Sequence, residues 1–279
     1  MKRKYDPKKA HHKAYVRRKY SKYQGKKIVD NPELRNFVEE KLYDDQSPEN
    51  IAQRIKKHEK SLPSVSKDSI YRYIKGAYGR RIEYYRNKRK NRRKGRRRRA
   101  KEKLLNRKFI DDRPKIIEKR SRIGDTEADF LVSGKTGKGV ILNVTDRKSR
   151  APFLEQILNP KLDNVSFAFL KIKKRFPELK TITTDNDLLL QHHQKLEKIL
   201  NVAIYFCHPY SSWEKGTVEN TNGQIRKDIP KGSDISKYSR KFIRSIENKL
   251  QRKFMDCLNH LAPLEVIAKS RKTKKAPKR

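Results

Sequence analysis

The chain has 279 residues and carries 74 Lys and Arg against 32 Asp and Glu, a formal net charge of +42 that favours a polyanionic partner such as nucleic acid. A solvated basic surface and a ribosomal-type RNA binder are the alternatives. No run of 18 apolar residues is present, which excludes a membrane span. The two cysteines fit no metal-ligand spacing and suggest a reducing compartment. We therefore expect a cytoplasmic, nucleoid-associated bacterial protein.

Residues 1–30 are basic and rich in tyrosine without a clear period, and we interpret them as a flexible arm. Residues 31–79 carry the signals of three short helices, because Asn31 and Ser47 each precede a proline and Ser66 precedes a further apolar stripe. Two helices, a break and a third helix are typical of a helix-turn-helix, although a generic helical hairpin gives the same pattern. The exposed face of the third helix would offer DNA four polar side chains: Lys67, Ser69, Arg72 and Lys75.

Residues 80–120 are interpreted as a basic linker. Its first part, residues 80–108, holds 17 Lys or Arg and 2 Glu. The run RRKGRRRR at 92–99 cannot fold compactly by itself because like charges repel. It is either a solvated helical linker or an arm that orders on phosphates, and we favour the arm, which supplies affinity rather than sequence choice.

The composition changes near Ile123. Apolar and β-branched runs at 130–132, 140–144 and 152–157 predict an antiparallel meander. The later elements are a helix capped by Asp163 or Asn164, a strand at 179–184, a helix around 189–200, a strand at 202–206, and helices at 213–229 and 239–260. This order predicts an α/β fold for residues 121–268, a ribonuclease-H-like mixed sheet with flanking helices, preceded by the small all-α helix-turn-helix unit and the basic linker. Residues 269–279 are expected to form a disordered basic tail.

Three acidic residues lie where carboxylates can converge. Asp129 lies at the start of the first predicted strand, Asp185 ends a later strand, and Glu219 follows the loop HPYSSWEKG where a helix can begin. Converging carboxylates can bind two Mg²⁺ ions, which prefer oxygen ligands, and paired ions suit phosphoryl transfer. Each acid taken alone is more often a cap, a turn residue or a surface residue. Four neighbouring acids compete for the same role: Asp125, Glu127, Asp146 and Asp187. Composition alone does not choose between Asp125 and Asp129.

Several stretches resemble the IS-thirty family of bacterial insertion-sequence transposases from about residue 31 to 268. They are GDTEADFLVSGKTGKG, LNVTDRKSR, TITTDND, VAIYFCHPYSSWEKGTVENTNGQIRKDIPKG and KLQRKFMDCLNHLAPLEV, while SPENIAQRIKK and VSKDSIYRYI are similar to the family's second helix-turn-helix. The resemblance implies a DDE transposase whose acidic triad is Asp129, Asp185 and Glu219. These residues would hold two Mg²⁺ ions, with Mn²⁺ able to substitute. The implied chemistry is cleavage at the ends of the element, followed by strand transfer from the freed 3′-hydroxyl.

The polar, helix-borne block around Glu219 also suggests DNA contacts, for which capping and surface solvation are the alternatives. The residues concerned are Lys215, Asn220, Asn222 and Arg226. The expected partners are double-stranded DNA, as terminal inverted repeats and target, and further copies of the chain in a homo-oligomer on DNA, with no membrane.

Three departures from the family pattern support a second hypothesis. The family's first helix-turn-helix has no counterpart here, and Thr126 and Asp187 stand where the pattern has Trp and Gly. The chain would then be a truncated, catalytically inactive DNA-binding derivative that represses transposition. A third hypothesis is a nuclease that acts on RNA–DNA hybrids.

Overall fold

The computed structural model describes residues 6–19, 26–88, 107–208 and 211–275. The run at 92–99 and the last four residues of the predicted tail lie outside the described residues. The chain divides into two compact units, Met1–Lys88 and Arg89–Arg279, so the division falls within the predicted linker.

The first unit is helical throughout its regular structure. In its described residues the helices are α1 (Pro7–Lys19), α2 (Lys26–Val29), α3 (Pro32–Tyr43), α4 (Pro48–Lys57), α5 (Lys67–Lys75) and α6 (Arg80–Lys88). The three predicted caps are confirmed, because the side chains of Asn31, Ser47 and Ser66 each accept a hydrogen bond from the backbone N–H three residues on. The apolar stripes of α3, α4 and α5 pack into one buried cluster.

The ends of this unit differ from the predictions. Two helices occupy described parts of the predicted arm, and Ile28 of α2 is fully buried in the same apolar cluster. Helix α6, at the start of the predicted linker, buries Ile82 there as well. A single isoleucine in a basic stretch produces no sequence period, yet it can complete a core, so the sequence predicts no core contact for either segment.

The second unit contains a five-stranded mixed sheet. Its strands are β1 (Asp125–Val132), β2 (Val140–Asp146), β3 (Pro152–Ile157), β4 (Thr181–Thr184) and β5 (Ala203–Phe206), in the order β3-β2-β1-β4-β5. Strands β1, β2 and β3 form the predicted antiparallel meander, whereas β4 is parallel to both β1 and β5. The sheet is therefore mixed, as the sequence predicts.

Helices cover both faces of this sheet. In the described residues of this unit the helices are α7 (Lys115–Glu118), α8 (Leu162–Arg175), α9 (His193–Leu200), α10 (Gly216–Asp228), α11 (Arg240–Gln251) and α12 (Pro263–Lys275). Helices α8 and α9 contribute to an apolar cluster with Phe130, while α10 and α11 contribute to a separate cluster with Leu131. Successive side chains of a strand point to opposite faces, so the two clusters lie on the two sides of β1. No helix in the described part of the chain is both long and apolar enough to cross a bilayer.

Several boundaries differ from those predicted. Strand β1 begins at Asp125, so Asp129 lies in its second half rather than at its start. Helix α8 begins at Leu162, and its N-cap makes no side-chain hydrogen bond, so neither Asp163 nor Asn164 caps it. The predicted helix 239–260 ends at Gln251, and α12 extends into the predicted tail.

Candidate active site

The strand register brings two of the predicted acids together. Strands β1 and β4 are parallel, and Glu127 pairs with Thr183. The same offset, continued by two residues, places Asp129 beside Asp185, the residue that follows the last residue of β4. Because side chains alternate, Asp129 shares a face of the sheet with Glu127, and this is the face against which α10 packs.

An ammonium group lies between the two aspartates. The Nζ of Lys215 is 3.2 Å from Oδ1 of Asp129 and 3.4 Å from Oδ2 of Asp185. Burial lowers the pKa of Lys215, but the two carboxylates outweigh it and the net shift is upward. Burial raises the pKa of Asp129, and the negative charge of Asp185 adds to this, while Lys215 opposes it. The point between the two carboxylates therefore holds a positive charge.

The second oxygen of Asp129 is held by amides. Its Oδ2 accepts a hydrogen bond from Nδ2 of Asn222 at 2.5 Å. The Oδ1 of Asn222 accepts from Nδ2 of Asn143 at 2.8 Å, and Oδ1 of Asn143 accepts from the hydroxyl of Thr145 at 3.0 Å. This chain of hydrogen bonds runs from β2 to α10 and fixes the orientation of the Asp129 carboxylate.

Glu219, the third predicted acid, is exposed in the first turn of α10. It lies three residues before Asn222 on α10, and residues at this spacing share a helix face. Within the described residues, no three His, Cys, Asp or Glu side chains lie close enough to hold one metal ion. The structure thus brings Asp129 and Asp185 together and leaves Glu219 exposed on the neighbouring helix.

Glu127 fixes the start of α10. It is fully buried, and its Oε2 accepts hydrogen bonds from the backbone N–H groups of Thr217 at 2.8 Å and Val218 at 2.9 Å. Its Oε1 lies 3.2 Å from Nε of Arg147. The first amides of a helix lack intrahelical partners and carry partial positive charge, so a carboxylate stabilises them. The sequence identifies Glu127 only as a competing ligand; its two-residue spacing from Asp129 is the signal that places both side chains on one face of the strand.

The remaining competitors have other partners. Asp125 accepts two hydrogen bonds from Arg122, at 2.9 and 3.0 Å. Asp146 accepts from the N–H and hydroxyl of Ser149 at 2.6 and 2.7 Å. Asp187 accepts from the backbone N–H two residues on, at 3.0 Å. Each of these carboxylates stabilises local structure.

The two converging aspartates fit a hard divalent cation. The Oδ1 of Asp185 is buried and has no hydrogen-bond partner among the described residues. A buried carboxylate oxygen without a donor is costly, and carboxylate oxygens are the ligands that Mg²⁺ prefers.

The predicted DNA-contact residues of α5 are mostly exposed. Lys67, Arg72 and Lys75 lie at the surface, and Nζ of Lys67 is 3.1 Å from Glu49. Ser69 is half-buried, and its N–H donates to the hydroxyl of the cap Ser66 at 3.2 Å. Ser69 therefore contributes to the helix start.

The predicted DNA-contact residues in α10 and directly before it have different surroundings. Lys215 and Asn222 contact Asp129, and Asn220 is exposed. Arg226 donates to the backbone carbonyl of Val132 at 3.2 Å, and burial lowers its pKa. A role in DNA binding stays a prediction for all eight residues.

No protein-family model matches the chain. The chain is 35% identical over 254 residues to the transposase for insertion sequence element IS4351 of Bacteroides fragilis, covering 89% of this chain and 76% of that protein. It is 30% identical over 256 residues to transposase InsI for insertion sequence element IS30A of Escherichia coli K12, covering 86% of this chain and 66% of that protein. Among solved structures, the catalytic core domain of BIV integrase matches with a TM-score of 0.42 and 16% identity, over 54% of this chain and 97% of that one.

Proposed function

The chain belongs to the IS30 family of insertion-sequence transposases, and we propose that its DNA cleavage and strand transfer use divalent ions held by Asp129, Asp185 and Glu219. The observation that carries the proposal is the position of Lys215 within 3.4 Å of both aspartates. Two carboxylates on neighbouring strands repel each other unless a cation lies between them. The site is therefore built to hold positive charge, and the unpartnered oxygen of Asp185 is available to a metal ion.

The proposed cofactor is a pair of Mg²⁺ ions, for which Mn²⁺ can substitute. Bound at this site, the ions would activate the attacking oxygen and stabilise the leaving oxygen of a phosphodiester. Other residues of the chain orient the proposed metal ligands. Asn222 fixes Asp129, and Glu127 fixes the start of α10, which carries Glu219. Lys215, once released from the aspartates, can donate to a phosphate oxygen of the bound strand.

The proposed substrate is double-stranded DNA, as the terminal inverted repeats of the element and as the target. The exposed cations of α5 support binding to DNA by the first unit, while Asn220 and Arg226 lie on the helix that carries Glu219. A homo-oligomer that holds two DNA ends, and a nucleoid location, belong to the same proposal. They are supported by the net charge of +42 and by the need to join two strands.

Asp185→Asn tests the metal site because it preserves side-chain size and removes the charge. We expect metal-dependent nicking of DNA that carries the terminal repeats to fall to background, while a gel shift shows unchanged DNA binding. Asp187→Asn is the matched control, since it removes an acid two residues away that caps a turn. Cleavage by Asp185→Asn at the wild-type rate would refute the assignment. Wild-type binding without metal-dependent products would instead support a repressor, and cleavage confined to RNA–DNA hybrids would support the third hypothesis.

A further inference from the structure

A cavity of about 430 Å³ adjoins the segment that carries Lys215. Trp213, Glu214 and Gly216, which flank Lys215 along the chain, line this cavity. Three arginines also line it: Arg113, Arg120 and Arg147. A volume of this size is typical of a pocket that accepts a small ligand.

Two of these arginines carry buried donors without acceptors. The side chains of Arg113 and Arg147 are only 5% and 7% exposed. Nε of Arg113 and Nη1 of Arg147 have no hydrogen-bond partner among the described residues, while Nε of Arg147 lies 3.2 Å from Oε1 of Glu127. Burial lowers the pKa of Arg147, and the neighbouring Arg113 lowers it further. Buried guanidinium donors are costly when unpaired, and phosphate oxygens match their geometry.

The acidic groups around the cavity have cationic or backbone partners. Asp111 and Glu214 both pair with the ring of His208, each at 2.9 Å, and the hydrogen bond that Glu214 accepts from this ring is the main cause that raises the pKa of His208. Glu118 is 60% exposed and 3.9 Å from Arg113. Glu127 accepts the two amides of α10 on Oε2, and its Oε1 lies 3.2 Å from Nε of Arg147. The unpartnered donors of the arginines are thus left for an anion from outside.

Trp213 offers the cavity an aromatic surface. It is the only tryptophan of the chain and is 75% exposed, which is unusual for so large an apolar side chain. Bases stack on such rings, with a gain that hardly depends on sequence. A base inside a duplex has both faces covered by its neighbours, so a base that stacks on Trp213 must leave the stack.

We propose that this cavity binds one unpaired nucleotide of the DNA substrate, with its base on Trp213 and its phosphate on Arg120 and Arg147. The inference rests on the proposed function. Lys215 contacts both aspartates and lies between two residues of the cavity wall, so a nucleotide held here adjoins the phosphate that reacts.

The fluorescence of Trp213 reports directly on this site in the full-length chain. We expect a short single-stranded thymidine oligonucleotide to quench it saturably, and a blunt duplex of equal length to quench it only at much higher concentration. Arg120→Gln should raise the concentration for half-quenching at least about tenfold, because a charge-assisted hydrogen bond to phosphate is lost. Arg240→Gln is the matched control, since it removes an exposed arginine of α11 that does not line the cavity. Equal melting temperatures of the two variants exclude misfolding.

The outcomes separate this site from the metal site. Asp185→Asn should quench as the wild type does while cleavage is lost. An oligonucleotide that leaves the fluorescence unchanged, or equal effects of Arg120→Gln and Arg240→Gln, would overturn the nucleotide site even if cleavage is metal-dependent. If inorganic phosphate abolishes the quenching at a concentration equal to that of the oligonucleotide, the cavity is a simple anion site. This result would also overturn the proposal. Normal quenching with wild-type cleavage by Asp185→Asn would refute only the metal assignment.

Discussion

Replacing Glu127 by glutamine tests whether the anchoring of α10 is needed for activity. Glutamine keeps the size of the side chain and one acceptor oxygen, but it removes the charge that faces two helix amides and Arg147. Hydrogen bonds to a charged acceptor contribute about 1.5–3 kcal/mol, against about 0.5–1.5 kcal/mol for neutral ones. Breaking a buried ion pair by removing one partner costs about 3–5 kcal/mol. Because the retained oxygen can still accept both helix amides, while the new NH₂ group faces Arg147, we expect a net loss of about 3 kcal/mol. In a unit of this size, that loss lowers the melting temperature by roughly 6–12 °C.

The assay compares this variant with Glu247→Gln. Glu247 is a buried glutamate of α11 that accepts from the backbone of Leu154 and pairs with Arg175 and Arg244, without contact to α10 in these interactions. Burial raises the pKa of Glu247 to about 7, so the comparison is made at about pH 8, where its carboxylate is ionised. Both variants should melt at lower temperature. Well below both melting points, only Glu127→Gln should lose cleavage, by about 10- to 100-fold, as removal of a group that orients metal ligands does. Equal cleavage by the two variants would show that Glu127 contributes stability alone.

Three further predictions concern single side chains. Lys215→Met leaves the two aspartates without a counter-charge, so the metal-free protein should melt lower, and Mg²⁺ should raise the melting temperature more than in wild type; a smaller rise would contradict the metal site. The pKa of His208 in the folded chain is raised above its ordinary value near 6.5, mainly by Glu214. Its ion pairs therefore stabilise the folded chain fully below the ordinary pKa, and this stabilisation is lost as the pH rises through the raised pKa. The difference in melting temperature between wild type and His208→Gln should shrink over that window, and a constant difference would refute the reasoning. Ser66→Ala removes the cap of α5 and should destabilise the first unit by about 1 kcal/mol, seen as faster amide exchange in α5; unchanged exchange would show that the cap contributes nothing.

The first unit shows what a single sequence predicts well. Asn31, Ser47 and Ser66 each accept a hydrogen bond from the amide three residues on, so both partners of each cap lie within four consecutive residues. The start of β1 was missed for the opposite reason. Asp125, Glu127 and Asp129 alternate there with small or polar residues, so the apolar alternation that marks a strand begins only at residue 130. Their partners lie far along the chain and cannot be identified from local pattern.

The column of acids on β1 explains why sequence alone left two candidates for the first ligand. Asp125, Glu127 and Asp129 share one face and differ only in their position along the strand. Asp125 meets Arg122, and Glu127 meets the first amides of α10, so both carboxylates are neutralised within the fold. Of these three acids, only Asp129 lies beyond the end of β4, where Asp185 faces the same ammonium group of Lys215. One position further along the same face, Leu131 is buried against α10 and α11. The strand therefore offers one place for an acid that can share a cation with Asp185, and the packing of α10 determines where that place lies.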